Sequence, residues 1–298
     1  MRGTLLWLGL HAADLVAISL PRPLAYALAD LVGRVWHRLA HERRALVTDQ
    51  LARVSAATGR PSQGPALRRL VRDAFVAHAR YYLEVLRIPH YSVERIGRMV
   101  VADDWDHWGP ILRDGAVVVT IHFGNFEPYG TFLAANGIQA VVPMEVLKPR
   151  EIHEFMLARR ATGRGVTLIP LEKSRRPMIA ALRAGTMVAL AGDRDLVGNG
   201  LPATLFGHPT TLPSGPAALA LLTGRPLVAA ACWRVGPERF RGRAWPVEAP
   251  LTGDRKQDVA ALTDAMARRF EEAIAPMPEQ WWATFQPLWP DLPGRGAP

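Results

Sequence analysis

Val117-Val118-Val119-Thr120-Ile121-His122-Phe123-Gly124-Asn125-Phe126-Glu127-Pro128 is the most informative stretch of the chain. A β-branched run reads as a buried strand, and it ends at a histidine. A glycine follows, then an asparagine suited to capping a helix, and Pro128 falls in that helix's first turn, where a missing N–H costs nothing. Strand, turn and helix in twelve residues is the start of a crossover unit. Similar runs recur at 138–142, 166–169, 186–191 and 226–233, separated by helical patterns near 126–136, 149–161, 174–183, 214–223 and 256–274. Strands alternating with helices predict an α/β fold with a mostly parallel central sheet flanked by helices.

Upstream of residue 101 the rhythm is helical throughout. Leu46, Gln50 and Val54, then Leu67, Leu70, Val71 and Phe75, follow helical spacing, with a Gly/Pro-rich turn over 59–65 between them. No repeat or long linker divides the 298 residues. The expected organisation is a helical, membrane-associated N-terminal part over 1–100 and an α/β core over 101–298, continuous with it.

The charge is unevenly spread. The net charge is +9, and 33 of the 36 basic residues are arginine. Residues 1–100 hold 15 arginines against 7 acids, and the remainder 21 basic against 20 acidic residues. The basic part is also apolar, as in Leu5-Leu6-Trp7-Leu8 and Leu24-Ala25-Tyr26-Ala27-Leu28. An anionic membrane surface rewards both properties together, whereas a nucleic-acid partner does not call for the exposed apolar surface. A solvated basic face on ordinary helices is the plainer alternative.

Neither apolar N-terminal segment reads as a span. Residues 4–20 rise roughly 25 Å as a helix, short of the ~30 Å hydrocarbon core, and carry His11 and Asp14. Residues 24–39 are interrupted by Asp30, Arg34 and Arg38, and Pro21-Arg22-Pro23 makes a poor signal-peptidase site. Two helices lying in one leaflet, with Trp7, Tyr26 and Trp36 near the headgroups, are expected instead. The single cysteine, Cys232, sits in an apolar run; it excludes a disulfide framework and reads as a small buried hydrophobe.

His122 falls at the carboxyl end of a strand, where open α/β sheets place their ligands. Two readings stand side by side: a general base acting on a hydroxyl, or a histidine that closes a strand. Glu127 lies a few residues on. Asp193 follows the strand over 186–191 and reaches the same sheet edge, either to orient the imidazole or to pair with Arg194 in its loop. The other eight histidines have no carboxylate at comparable strand-end spacing and read as ordinary polar or core residues. No cluster suggests a metal site.

The ordered series of segments resembles the bacterial lipid A late acyltransferases and their relatives, the phosphatidylinositol mannoside acyltransferases. It comprises His122-Phe123-Gly124-Asn125-Phe126-Glu127, Glu145-Val146-Leu147-Lys148-Pro149, Phe155 with Arg159/Arg160, and Leu168-Ile169-Pro170. It continues through Gly192-Asp193-Arg194-Asp195-Leu196, Leu205-Phe206-Gly207, Leu212-Pro213-Ser214-Gly215-Pro216-Ala217 and Pro278-Glu279-Gln280-Trp281-Trp282, closing on Trp289. Phe126 stands where the pattern has Trp, and the helix arginine is doubled.

The resemblance implies transfer of a long-chain acyl group from acyl-CoA or acyl carrier protein to a hydroxyl of a glycolipid. The acceptor would be lipid A-like or, by the Asp193-Arg194-Asp195-Leu196 and Gly215-Pro216-Ala217 segments, mannoside-like. His122 would be the base, with Glu127 or Asp193 holding its ring. Gly124, Asn125, Glu145, Arg159, Arg160 and Arg194 would contact substrate, and no cofactor or metal would be needed. Arg164, Arg175 and Arg176 would meet CoA phosphates or water. Trp281, Trp282, Phe285 and Trp289 would line an acyl groove or fill the core. The implied place is the cytoplasmic face of the plasma (inner) membrane, held peripherally or monotopically on the phospholipid surface, with no nucleic-acid partner. A lysophospholipid or glycerolipid acyltransferase shares the His-x4-acid motif, but usually with a downstream Phe-Pro-Glu-Gly element missing here. A non-catalytic membrane-binding relative is the other alternative.

Overall fold

The computed structural model describes residues 2–160 and 165–292, with side chains from residue 7 onward. Leu5, Leu6 and Arg164 of the sequence reading therefore have side chains outside the described residues. The chain opens with helices α1 (Arg2–Ser19), α2 (Arg22–Leu39), α3 (His41–Ala57), α4 (Gly64–Arg87) and α5 (Val93–Gly97). There follow β1 (Val100–Ala102), α6 (Trp105–Arg113), β2 (Val117–Thr120), α7 (Glu127–Ala135), β3 (Ala140–Met144), α8 (Arg150–Arg160), β4 (Val166–Pro170), α9 (Arg175–Arg183) and β5 (Met187–Ala191). The hairpin β6 (Leu201–Leu205) and β7 (His208–Leu212) leads to α10 (Gly215–Thr223), β8 (Leu227–Gly236), β9 (Arg239–Pro246) and α11 (Arg255–Ile274).

Seven strands form one sheet in the order β1-β9-β8-β2-β5-β3-β4. The five from β8 to β4 run parallel; β9 turns back antiparallel to β8, and β1 pairs parallel to β9. All five expected strands are present, as are the five expected helices that follow residue 101. The elements that the pattern reading passes over are α6, β1, the β6–β7 hairpin and β9. β9 hides because its arginines at 239, 241 and 243 alternate with the buried Phe240, Gly242 and Ala244. Three of its eight residues are charged and alternate with the buried ones, so it shows no apolar run.

β2 explains the layering. Val117, Val119 and Ile121 point to one face, into a core built with α9, α10 and α11. Val118 points to the other, packed with Trp108, Leu112, Tyr129 and Leu133 of α6 and α7. Strand side chains alternate between faces, so a continuous valine run is what a strand covered on both sides requires.

The N-terminal helices are fastened to this body. α3 and α4 enclose Val47, Leu51, Leu67, Val71 and Phe75 together with Phe285 from the chain's C-terminal part. Gln50 donates to the Thr284 and Gln286 carbonyls at 2.5 and 2.9 Å, and Arg53 holds Asp291 through both carboxylate oxygens. α2 lies against α4 along Ala25, Ala29 and Gly33; a Cβ on Gly33 would come within 2.7 Å of the Val76 Cα. Tyr26 and Trp36, expected at the headgroups, instead face inward. Tyr26 is buried with its hydroxyl on Glu84, and Trp36 stacks on Phe285. The helix wheel explains the error: residues 25, 26, 29, 33 and 36 share the sector toward α4, while 24, 28, 31, 32, 35 and 39 share another.

That second sector is exposed, and so are Trp7, Leu8, Leu15 and Val16 on α1. Asp14, the acid that counts against a span, points into the protein, where Arg159 binds it at 2.5 Å and His90 at 3.2 Å. Among the described residues no helix is long and apolar enough to cross a membrane.

The close α2–α4 approach makes a stability prediction. Gly33→Leu should destabilise the protein by about 1–3 kcal/mol, the usual range for overpacking a tight contact. Thermal unfolding and limited proteolysis in the α2–α3 connection would check it, and an unchanged melting curve would contradict the packing.

Candidate active site

The register of two neighbouring strands builds the site. β2 and β5 pair parallel with Thr120 opposite Ala191, so the residues two positions beyond each, His122 and Asp193, emerge side by side at the carboxyl edge. Gly192 permits this: its N–H donates to the Thr120 carbonyl at 2.8 Å, and a Cβ there would lie 2.4 Å from Val119.

Asp193 is 2% exposed and all its hydrogen bonds serve the site. Its Oδ1 lies 2.6 Å from His122 Nδ1, and its Oδ2 accepts the His122 backbone N–H at 2.8 Å and the Trp281 indole N–H at 2.9 Å. Burial by itself would raise this carboxyl, but the nearby His122 and the hydrogen bonds from His122 and Trp281 outweigh it and hold it below the usual carboxylate range. With Nδ1 bonded to a carboxylate, the ring's Nε2 is left to meet a substrate proton. The Trp282 ring stands against the imidazole edge to face at 4.6 Å. Its own indole N–H is buried and has no acceptor among the described residues.

Glu127, the other acid considered, is not the partner of His122. It opens α7, and its carboxylate takes Arg160 at 2.6 Å. Arg160 also donates to the Tyr81 hydroxyl at 3.2 Å and lies over Phe126. The doubled arginine is thereby divided: Arg160 faces the site, whereas Arg159 turns back to Asp14 and to His90, at 2.8 Å. One of the eight histidines set aside from the sequence therefore does hold a carboxylate, but across helices rather than at a strand end.

Several of the residues expected on substrate have tasks within the protein. Gly124 has φ +55°, and a Cβ would come within 2.3 Å of the Cys232 carbonyl, so only glycine fits where the turn passes β8. Asn125 is completely buried, with Nδ2 on Glu84 at 3.0 Å and Oδ1 accepting the Glu127 N–H at 3.1 Å. Both ends of its amide are spent on the protein. Glu145 follows β3 and is exposed. Arg194 is half-buried and, with Asp193 itself, Asp195, Leu196, Thr211 and residues 286–290 and 292, lines a cavity of about 390 Å³. Asp195 does not pair with it; its oxygens accept the Gly198 and Gly200 N–H groups at 2.9 and 2.8 Å.

Cys232 is buried, and burial pushes its thiol well above the ordinary range. Among the described residues no group of histidines, cysteines and acids has metal-binding geometry. Two contributors escaped the sequence reading. Trp281 supplies an N–H to Asp193, a role that its place in an aromatic C-terminal cluster does not signal. Glu84 supports Asn125; it lies nine residues after Phe75, half a turn round α4 from the stripe of Val71, Phe75 and His78, so the helical pattern does not mark it.

Comparison with known proteins identifies the family. The model of the bacterial lipid A biosynthesis acyltransferases matches residues 1–290. A phosphatidylinositol mannoside acyltransferase of Mycobacterium tuberculosis (strain CDC 1551 / Oshkosh) is 33% identical over 222 residues, 72% of this chain and 68% of the relative. Its namesake from Mycolicibacterium smegmatis is 32% identical over 227 residues, 74% of this chain and 72% of the relative. With that model matched over residues 1–290, the chain belongs to the bacterial lipid A biosynthesis acyltransferase family and is an acyltransferase.

Proposed function

We propose that the protein moves a long-chain acyl group from acyl-CoA or acyl carrier protein to a hydroxyl of a glycolipid held at a membrane surface. The observation that carries the reading is the 2.6 Å contact between His122 Nδ1 and the buried Asp193. In this mechanism Nε2 takes the proton of the acceptor hydroxyl as its oxygen attacks the thioester carbonyl. The tetrahedral oxyanion collapses, the C–S bond breaks, and the departing thiolate takes the proton back from the imidazolium. Asp193 stabilises that imidazolium and fixes the ring. Direct transfer suits a chain whose lone thiol is buried and held protonated by that burial. The names of the relatives favour a mannosylated phosphatidylinositol as acceptor.

The exposed apolar side chains of α1 and α2 support the membrane part of this reading. Leu24, Leu28, Leu31, Val32, Val35 and Leu39 form one outward apolar sector of α2, bordered by Arg34 and Arg38. An apolar face rimmed by arginine is the arrangement that lies in an anionic interface. The cytoplasmic leaflet, where acyl thioesters are available, is the proposed location, with the protein bound peripherally.

Three outcomes test these statements. His122→Ala should lower transfer of labelled palmitate from palmitoyl-CoA by about 10²–10⁴-fold, the usual range for a general base, with the fold intact. Product formed at the wild-type rate would sink the mechanism and favour a non-catalytic role for the motif.

The Asp193 carboxyl has a lowered folded pKa, so its stabilising contribution is present above the unfolded value of about 3.9 and is lost as pH falls through the folded one. The gap in melting temperature between the wild type and Asp193→Asn should therefore be widest near neutrality and narrow below about pH 4. A gap independent of pH would contradict the ionised pairing.

For the surface, combined Leu28→Ser, Leu31→Ser and Val35→Ser should weaken binding to phosphatidylglycerol vesicles by roughly a hundredfold, at about 1 kcal/mol per partly inserted side chain. These positions are exposed, so the melting temperature should stay put. Unchanged vesicle binding would remove α2 from the interface.

A further inference from the structure

Behind the candidate dyad lies a second buried carboxylate whose connections reach across four elements. Glu84, on α4, is 1% exposed. Its Oε1 accepts the Tyr26 hydroxyl of α2 at 2.8 Å and Arg234 Nε of β8. Its Oε2 accepts Arg234 Nη2 at 2.7 Å and Asn125 Nδ2, in the turn between β2 and α7, at 3.0 Å. The Tyr26 hydroxyl in turn accepts the Glu238 N–H at 2.9 Å.

The turn that leaves His122 is built on this group. Asn125 closes the start of α7 through the Glu127 N–H and gives its own N–H to the Cys232 carbonyl at 3.2 Å. Gln280 clamps the Arg234 peptide from both sides, at 2.9 Å each, and its backbone carbonyl accepts the Gly124 N–H at 2.9 Å. The next residue but one, Trp282, donates its backbone N–H to the His122 carbonyl at 3.0 Å. Residues 124, 125 and 127 are thus each tied, within one or two hydrogen bonds, to the Glu84–Arg234 pair, and His122 is held through Trp282, two residues along the chain from Gln280.

A buried ion pair is a poor source of net stability, since an apolar pair of like volume commonly serves as well or better. What Glu84 supplies that an apolar side chain cannot is direction, because each oxygen fixes two donors from different elements. We propose that Glu84 is a positioning residue for acyl transfer. It sets the turn that carries His122, and through Tyr26 it makes that turn depend on the seating of α2, whose outer sector is the apolar one. This rests on the reading of His122 as the base.

The test uses the full-length protein, labelled palmitoyl-CoA and mannosylated phosphatidylinositol in phosphatidylglycerol vesicles. Tyr26→Phe removes one hydroxyl and keeps the ring. Glu84→Met with Arg234→Met removes both buried charges together, which is expected to preserve folding. Tyr26→Phe should lower kcat about five- to tenfold, and the double variant about a hundredfold, the cost of a small misplacement of a reacting group. In both, KM for palmitoyl-CoA should stay within about twofold and the melting temperature at or above a few degrees below wild type, a split that a general loss of structure does not produce. Wild-type kcat in either variant, or a loss that appears in KM alone, would overturn the proposal. If the double variant does not fold, Tyr26→Phe decides. His122→Ala run in parallel separates the two readings: full activity there removes the base itself, whereas an inactive His122→Ala beside a fully active Tyr26→Phe removes only the role of Glu84.

Discussion

The pairing of β2 with β5 is the constraint from which the candidate site follows. Because Thr120 faces Ala191, the histidine and the aspartate that follow them meet at one point of the sheet edge. A slip of one residue would turn the side chains of either strand to the opposite face, losing both the dyad and the packing of Val117 and Val119 on α11. The same apolar pattern that buries β2 therefore also aims His122. Core and chemistry are fixed by one register, which is why the site sits on strand ends rather than on a movable loop.

Around that point the protein spends its buried polar groups on holding backbone. Asp193 accepts three donors, two of them from His122 itself, and Glu84 accepts four from three other elements. Burying ionised groups is costly unless they are paired and hydrogen-bonded, and here both carboxylates are. The two arginines of α8 show how one turn of helix serves two purposes. Arg160 reaches the first residue of α7, while Arg159 fastens α8 to α1 through Asp14. The N-terminal helices are thereby tied to the neighbourhood of the site at three places: Tyr26, Glu84 and Asp14.

α2 illustrates how one helix can be apolar on two sides for two reasons. Its small residues, Ala25, Ala29 and Gly33, let it approach α4 closely, and its larger ones are left outside. Hydropathy alone sums these sectors into one moderately apolar segment. Angular position separates them, and that separation is what places Tyr26 in the interior rather than among lipid headgroups.

Much was legible from the sequence because the signals were local. Unbroken valine runs, the Gly-Asn turn and the proline in the first turn of α7 each reflect short-range sterics or hydrogen bonding, and they specified the parallel strands and the position of His122. β9 and the β6–β7 hairpin were not legible, since alternation with arginine or threonine is weak evidence until a partner strand supplies the buried side. The choice between Glu127 and Asp193 was also out of reach. Both lie near His122, one along the chain and one across the sheet, and only register and the competing hold of Arg160 assign them. The sequence by itself determined which residues have the chemistry to act and on which edge they emerge. The tertiary structure alone decided which carboxylate meets the imidazole and which polar groups support its turn, because those partnerships join residues 40 to 150 positions apart, whose proximity no local pattern encodes.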